Sequence, residues 1–114
     1  LDLGGLTPNI LCMATSRGTR AAVQILGDSV RAGRLRRGWS VGTLAERVGV
    51  SAPTITKIER GNPSVAIGTV FEAARLVGVE LFGGNEVLAG QVVRNELALL
   101  PQRGRARRKA RNDF

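Results

Sequence analysis

This chain of 114 residues has no histidine and no tyrosine, and it uses cysteine, methionine and tryptophan once each. Without histidine the usual general base near neutral pH is missing. The nine acidic residues are scattered, and Glu46, Glu72 and Glu86 fall where exposed helix positions would be. No glycine-rich phosphate loop is present, so no catalytic constellation can be assembled and a non-enzyme is expected. The lone Cys12 cannot close an intramolecular disulfide, and with no histidine to accompany it an ordinary zinc site is ruled out. Neither metal nor cofactor is implied, and such cysteine usage suits a reducing cytoplasm.

What the chain has in excess is positive charge. Its formal net charge is +8 with a pI near 11.6, which implies a polyanionic partner or surface without specifying a fold. All of the basic residues are arginine except Lys57 and Lys109. The planar donor fork of arginine suits phosphates and guanine edges, although a GC-rich genome would impose the same bias. A chain of this length has room for one compact domain with arms and a modest core.

Residues 40–61, SVGTLAERVGVSAPTITKIERG, organise the rest. Leu44, Ala45 and Val48 form one face of a first short helix. Val50, Ile55 and Ile58 supply the turn contact and one face of a second. Ala45 falls where the two helices would cross most closely, so that a larger side chain would separate them. Gly49 follows the last periodic residue of the first helix, where the backbone must turn left-handed. Ser40 and Ser51 are natural N-caps. Pro53 lies in the first turn of the second helix, where its missing N–H would have had no intrahelical partner. The pattern is that of a DNA-reading helix-turn-helix, with a plain helical hairpin as the alternative.

This stretch resembles the lambda-repressor/Cro-like (Xre) regulators, with the small residue, the turn glycine and the buried aliphatic at Ala45, Gly49 and Ile55. The resemblance implies an all-α domain of four helices, followed here by a C-terminal amphipathic helix and a basic tail. It implies a cytoplasmic, sequence-specific repressor that places its second helix in the major groove of an inverted-repeat operator in double-stranded DNA, with no membrane partner. It would also set Arg34 beside Glu59 as a partly buried ion pair. At about 100° per residue, Glu59 lies on the flank of the buried stripe; two solvated charges are the alternative. Opposite Ile55 and Ile58 the wheel carries Pro53, Thr56, Lys57 and Arg60, with Ser51, Ala52 and Thr54 near the N-terminal end that meets base edges. Lys57 is the candidate for a guanine contact. Thr54 and Thr56 suit a thymine methyl or a phosphate, and Arg60 and Arg47 suit the phosphate backbone. Relatives often carry glutamine where this chain has Val41, so an interaction that they make with DNA there is expected to be missing here.

Around this centre the chain divides into four parts. Residues 1–20 show no sustained period and are expected to be a flexible arm. Met13 is a candidate natural start, and Asp2 and Pro8 break up the apolar pieces that a signal peptide would need. Residues 21–83 make the DNA-binding domain. Its first helix runs from about 21 to 37 on Val23, Leu26 and Val30. Gly33 falls on the same stripe as a cost to helix stability of about 1 kcal/mol, and Gly38 provides the stop. Trp39 packs between this helix and the next. A loop around Pro63 precedes a helix at about 67–77 whose core contacts are Val70, Phe71, Ala74, Leu76 and Val77, stopped by Gly78. That loop is about two residues longer than the common Xre form, a variant similar to HipB-like antitoxins that accompany HipA-like kinase toxins. A regulator acting alone is the competing possibility.

Glu80 to Phe82 either form a short strand or simply extend. Residues 84–100 then give a helix with Leu88, Val92 and Leu99 on one side and Val93, Leu97 and Leu100 beside them. So wide an apolar band fits a homodimer interface or packing onto the first domain. Residues 101–114 are too charged to bury. Arg103, Arg105, Arg107, Arg108, Lys109 and Arg111 could follow phosphates, Phe114 could anchor in a toxin, or the tail could serve solubility alone.

Overall fold

Three serine–threonine pairs start the first three helices. Ser16, Ser40 and Ser51 each accept a hydrogen bond from the backbone N–H of Thr19, Thr43 and Thr54, at 3.1, 3.0 and 3.4 Å. Each serine hydroxyl also lies 3.0 Å from the threonine hydroxyl three residues on. Donors that would otherwise be orphaned in the first turn are thereby satisfied. The computed structural model describes residues 15–102. Among these the fold is all-helical and contains no strand: α1 (Arg17–Arg36), α2 (Val41–Val48), α3 (Ala52–Glu59), α4 (Ile67–Leu76), a 3-10 turn (Phe82–Gly84) and α5 (Glu86–Leu99). The start of α1 at Arg17 corrects the expectation of a helix from residue 21, because the Ser16 cap lies further upstream than the apolar period reveals.

Helix ends are closed as regularly as their starts. At Gly49, φ is +88°, and the N–H groups of Gly49 and Val50 both bond the Ala45 carbonyl, at 2.8 and 3.0 Å. A side chain at that φ would be strained, which makes glycine the residue that lets α2 turn into α3 within three residues.

The first structural unit ends at Val79 and the second begins at Glu80. In the first, α3 and α4 each pack against both α1 and α2. Val30, Leu44, Ile55, Ile58 and Val77 are fully buried, with Ala45, Ala73 and Ala74 between them. Each large aliphatic contributes roughly 1.5–3 kcal/mol through burial. Val48, Val50, Val70, Leu76 and Trp39 pack partly buried around this core.

The packing turns on two glycines of α1. A Cβ at Gly27 would overlap the carbonyl oxygen of Ile58, and one at Gly33 would come within 2.6 Å of the Val77 carbonyl oxygen and 2.8 Å of the Val77 side chain. The C-terminal ends of α3 and α4 therefore lie directly on the α1 backbone. The helix cost assigned to Gly33 from sequence is real, but it is offset by an approach that no larger residue permits.

Across this contact runs the pair Arg34–Glu59. Arg34 Nε donates to Glu59 Oε2 at 2.7 Å and Nη2 donates to Oε1 at 2.9 Å, a two-pronged salt bridge with both side chains more than nine-tenths buried. The third prong, Nη1, donates to the Trp39 carbonyl at 2.9 Å. Hydrogen bonding to Glu59 raises the guanidinium pKa above its ordinary value, and the charge of Glu59 adds to this while burial opposes it. Two further side chains hold helix ends, and neither is signalled by the periodicity of the sequence. Gln24 Nε2 donates to the Glu59 carbonyl at 3.3 Å, and Arg37 Nη1 donates to the Val77 carbonyl at 2.7 Å.

The second unit departs from the strand considered for Glu80 to Phe82. Leu81 is extended, and Phe82 enters the 3-10 turn at φ +53°. Asn85 then caps α5, accepting from the Leu88 N–H at 3.0 Å. Along α5, Leu88, Val92, Val93, Leu97, Leu99 and Leu100 are all exposed.

The packing makes two expectations for stability. Gly33→Ala should destabilise by about 1–3 kcal/mol through overpacking, whereas Gly18→Ala, with open space around it, should stabilise by up to about 1 kcal/mol. Urea melts that rank the two variants the other way would disprove the backbone contact. Glu59→Ala should cost about 3 kcal/mol or more by leaving a buried guanidinium unpaired, while the double change Arg34→Met with Glu59→Leu should cost much less. A Glu59→Ala melt that overlays wild type would show that the pair contributes nothing.

Candidate nucleic-acid interface

Helix α3 is positioned from the core outward. Ile55 and Ile58 face the core of the first unit, and Glu59, one residue on, is fixed to Arg34. These anchors set the rotation of α3 about its own axis. Ala52, Pro53, Lys57 and Arg60 are consequently exposed or at the border of exposure, in line with the helical wheel. Lys57 and Arg60 place two cations on this face, and Pro53 in the first turn leaves the backbone intact.

One of the threonines and the leading serine are held by each other. Thr54 is half-buried, and its hydroxyl is paired with the Ser51 hydroxyl at 3.0 Å. The Ser51 hydroxyl also takes the Thr54 N–H. Both residues therefore maintain the N-terminal turn of α3. Thr56 is half-buried, at the border of the exposed face.

Arg47 is exposed in the last turn of α2, with its Cζ 4.3 Å from the ring centroid of Trp39. Arg37 approaches the same ring at 5.8 Å. Nothing in the helical period points to this arrangement, since Trp39 precedes α2 and reaches Arg47 only because the ring lies alongside the helix.

After α3 the chain turns at Gly61, where φ is +76° and the Asn62 N–H bonds the Lys57 carbonyl at 3.0 Å. Asn62 Oδ1 then accepts from the Ser64 N–H at 2.8 Å and the Ser64 hydroxyl at 2.6 Å, closing a local turn before α4. Helix α4 starts at Ile67 with no side-chain cap. The six basic tail residues and Phe114 lie outside the described residues, as do residues 1–14. Among the described residues no group of histidine, cysteine, aspartate or glutamate could hold a metal ion, and no helix is long and apolar enough to cross a membrane.

Comparison with known proteins agrees with this geometry. Three proteins described provisionally as HTH-type transcriptional regulatory proteins, from Methanosarcina barkeri, Methanosarcina mazei and Methanosarcina acetivorans, are 41%, 41% and 39% identical to the chain over 59 residues. The similarity covers 52% of this chain but only 18% of each relative. No solved structure matches the chain. The profile of the helix-turn-helix domain matches residues 25–81, which take in most of α1 and all of α2, α3 and α4. Spanning half of its length, that match makes the chain a member of the helix-turn-helix domain family.

Proposed function

We propose that the chain is a sequence-specific DNA-binding transcriptional repressor that acts as a homodimer, with α3 entering the major groove. The observation that carries the proposal is the outer face of α3, where Pro53, Lys57 and Arg60 project from a helix whose opposite side is locked by Ile55, Ile58 and the Arg34–Glu59 pair. Base readout needs this combination of reach and rigidity, because a bidentate contact discriminates only when its geometry is held. The high net positive charge supplies the sequence-independent attraction to phosphate.

For the homodimer, the support is the row of exposed aliphatic residues on α5. A contiguous apolar surface of that kind is unusual on a free monomer and suits self-association about a two-fold axis. The finer reading, an antitoxin that also holds a HipA-like kinase toxin, is supported by the resemblance to HipB-like proteins and by the length of the loop between α3 and α4. Co-purification with a kinase-like protein encoded next to this gene would support it, and a chain regulated and active without such a neighbour would favour the stand-alone regulator. In either case the basic tail is proposed to follow flanking phosphates, with Phe114 available to a protein partner.

Selection from random duplexes should recover an inverted repeat with half-sites about 34 Å apart, or a multiple of that. On the selected site Lys57→Ala should cost about 1–3 kcal/mol and relax specificity at one base pair. Equal weakening on selected and mixed-sequence DNA would restrict Lys57 to a phosphate contact. Removing residues 102–114 should reduce the salt slope by up to about 0.9 for each phosphate that the tail neutralises. An unchanged slope would take the tail away from DNA.

A further inference from the structure

We propose that Trp39 is a positioning residue for DNA, whose indole holds the Arg47 guanidinium as a pre-set fork for one backbone phosphate. This inference rests on the DNA-binding reading above and assigns a task to a residue that has so far figured only in packing.

Three arginines gather at Trp39, and their donors are used differently. Arg34 gives all three of its nitrogens to Glu59 and the Trp39 carbonyl. Arg37 gives Nη1 to the carbonyls of Val77, at 2.7 Å, and Gly33, at 3.4 Å. The Arg47 guanidinium makes no hydrogen bond or ion pair with any described residue; its one contact of this kind is the Trp39 ring, 4.3 Å from Cζ to centroid. A guanidinium lying on an aromatic face keeps its N–H donors free, because they radiate in its own plane. That planar fork is the shape that phosphate oxygens accept in pairs.

The platform beneath it is rigid. Trp39 donates its backbone N–H to the Arg34 carbonyl at 3.1 Å and accepts Arg34 Nη1 on its own carbonyl. Its ring is partly buried against the core. A free arginine loses considerable rotamer freedom when it grips an anion, and stacking removes part of that freedom in advance. The anion favoured here is a polyanion rather than a single carboxylate, because Arg37 lies within 5.8 Å of the same ring and adds a second positive charge. Helix α2, which carries Arg47 and begins directly after Trp39 and its cap Ser40, is also the helix that crosses the phosphate backbone when such a motif docks.

Phosphate contacts do not depend on sequence, so the test uses the full chain and a mixed-sequence DNA duplex across a range of salt. Arg47→Ala and Trp39→Leu should each weaken binding by about 3–10-fold at low salt, and each should lower the salt slope by about 0.9. In the Arg47→Ala background, Trp39→Leu should have no further effect, which a purely structural role of the ring would not produce. Trp39→Phe keeps an aromatic face and should weaken binding less, and it serves as the probe if Trp39→Leu fails to fold. Because Trp39 is the sole tryptophan and there is no tyrosine, intrinsic fluorescence reports on this ring alone. Its response to DNA should be present in wild type and abolished by Arg47→Ala. Effects that multiply in the double variant, or a fluorescence response that survives Arg47→Ala, would overturn the positioning role while leaving DNA binding intact. A wild-type chain that binds no duplex at low salt would overturn the DNA reading and this inference together.

Discussion

The buried pair Arg34–Glu59 is the constraint on which the domain depends. Its two short hydrogen bonds join the last turns of α1 to the last residue of α3, and its third prong reaches the carbonyl of Trp39, just ahead of α2. One side chain thereby ties the end of α1 both to the turn that follows it and to α3, 25 residues further on. Burying two charges is costly, and an apolar pair of equal volume could hold the helices together at least as strongly. What the ion pair adds is direction. A bidentate contact is satisfied at one rotation of α3 about its axis, and that rotation decides which residues α3 presents to solvent.

Direct backbone approach complements the pair. Helix α1 meets the ends of α3 and α4 through Gly27 and Gly33, where added methyl groups would strike the carbonyls of Ile58 and Val77. With α3 this close, Arg34 can reach Glu59 at hydrogen-bond length and Gln24 can reach the carbonyl of the same residue. A small chain has few large side chains to spend on its core. Here it draws helices together with alanines and glycines, using Ala45, Ala73 and Ala74 between the fully buried aliphatics.

The exposed surface follows from these internal restraints. With its inner side committed, α3 leaves Pro53, Lys57 and Arg60 outward, while Ser51 and Thr54 hold its first turn. The arginines serve different ends according to their surroundings. Arg34 is buried as a structural cation, Arg37 holds the end of α4, and Arg47 lies over the Trp39 ring. In α5 the aliphatic residues have no comparable cover within their own unit.

Much of this is legible in the linear sequence, because the features concerned are local. Helix periodicity and turn chemistry act over three or four residues, so the all-helical class, the caps Ser40 and Ser51, the left-handed Gly49 and the buried Leu44, Ala45, Ile55 and Ile58 can all be read from spacing. The start of α1 escapes such a reading because its cap, Ser16, lies upstream of the first residue of the apolar stripe. Other features depend on contacts between residues far apart in the chain. Gly33 is a defect in an isolated helix and becomes a requirement once Val77 is brought onto it. Arg37 and Gln24 bind backbone carbonyls, which every residue possesses and no sequence pattern marks. The stacking of Arg47 on Trp39 likewise requires the turn between α1 and α2 to lay the ring along α2. Helical segments and apolar faces are legible in the chain alone, the start of α1 excepted, since both are properties of neighbouring residues. Which of the α1 glycines must be glycine, and which arginines spend their donors inside the fold, emerges with folding, because close approach and donor use are settled by residues that meet only then.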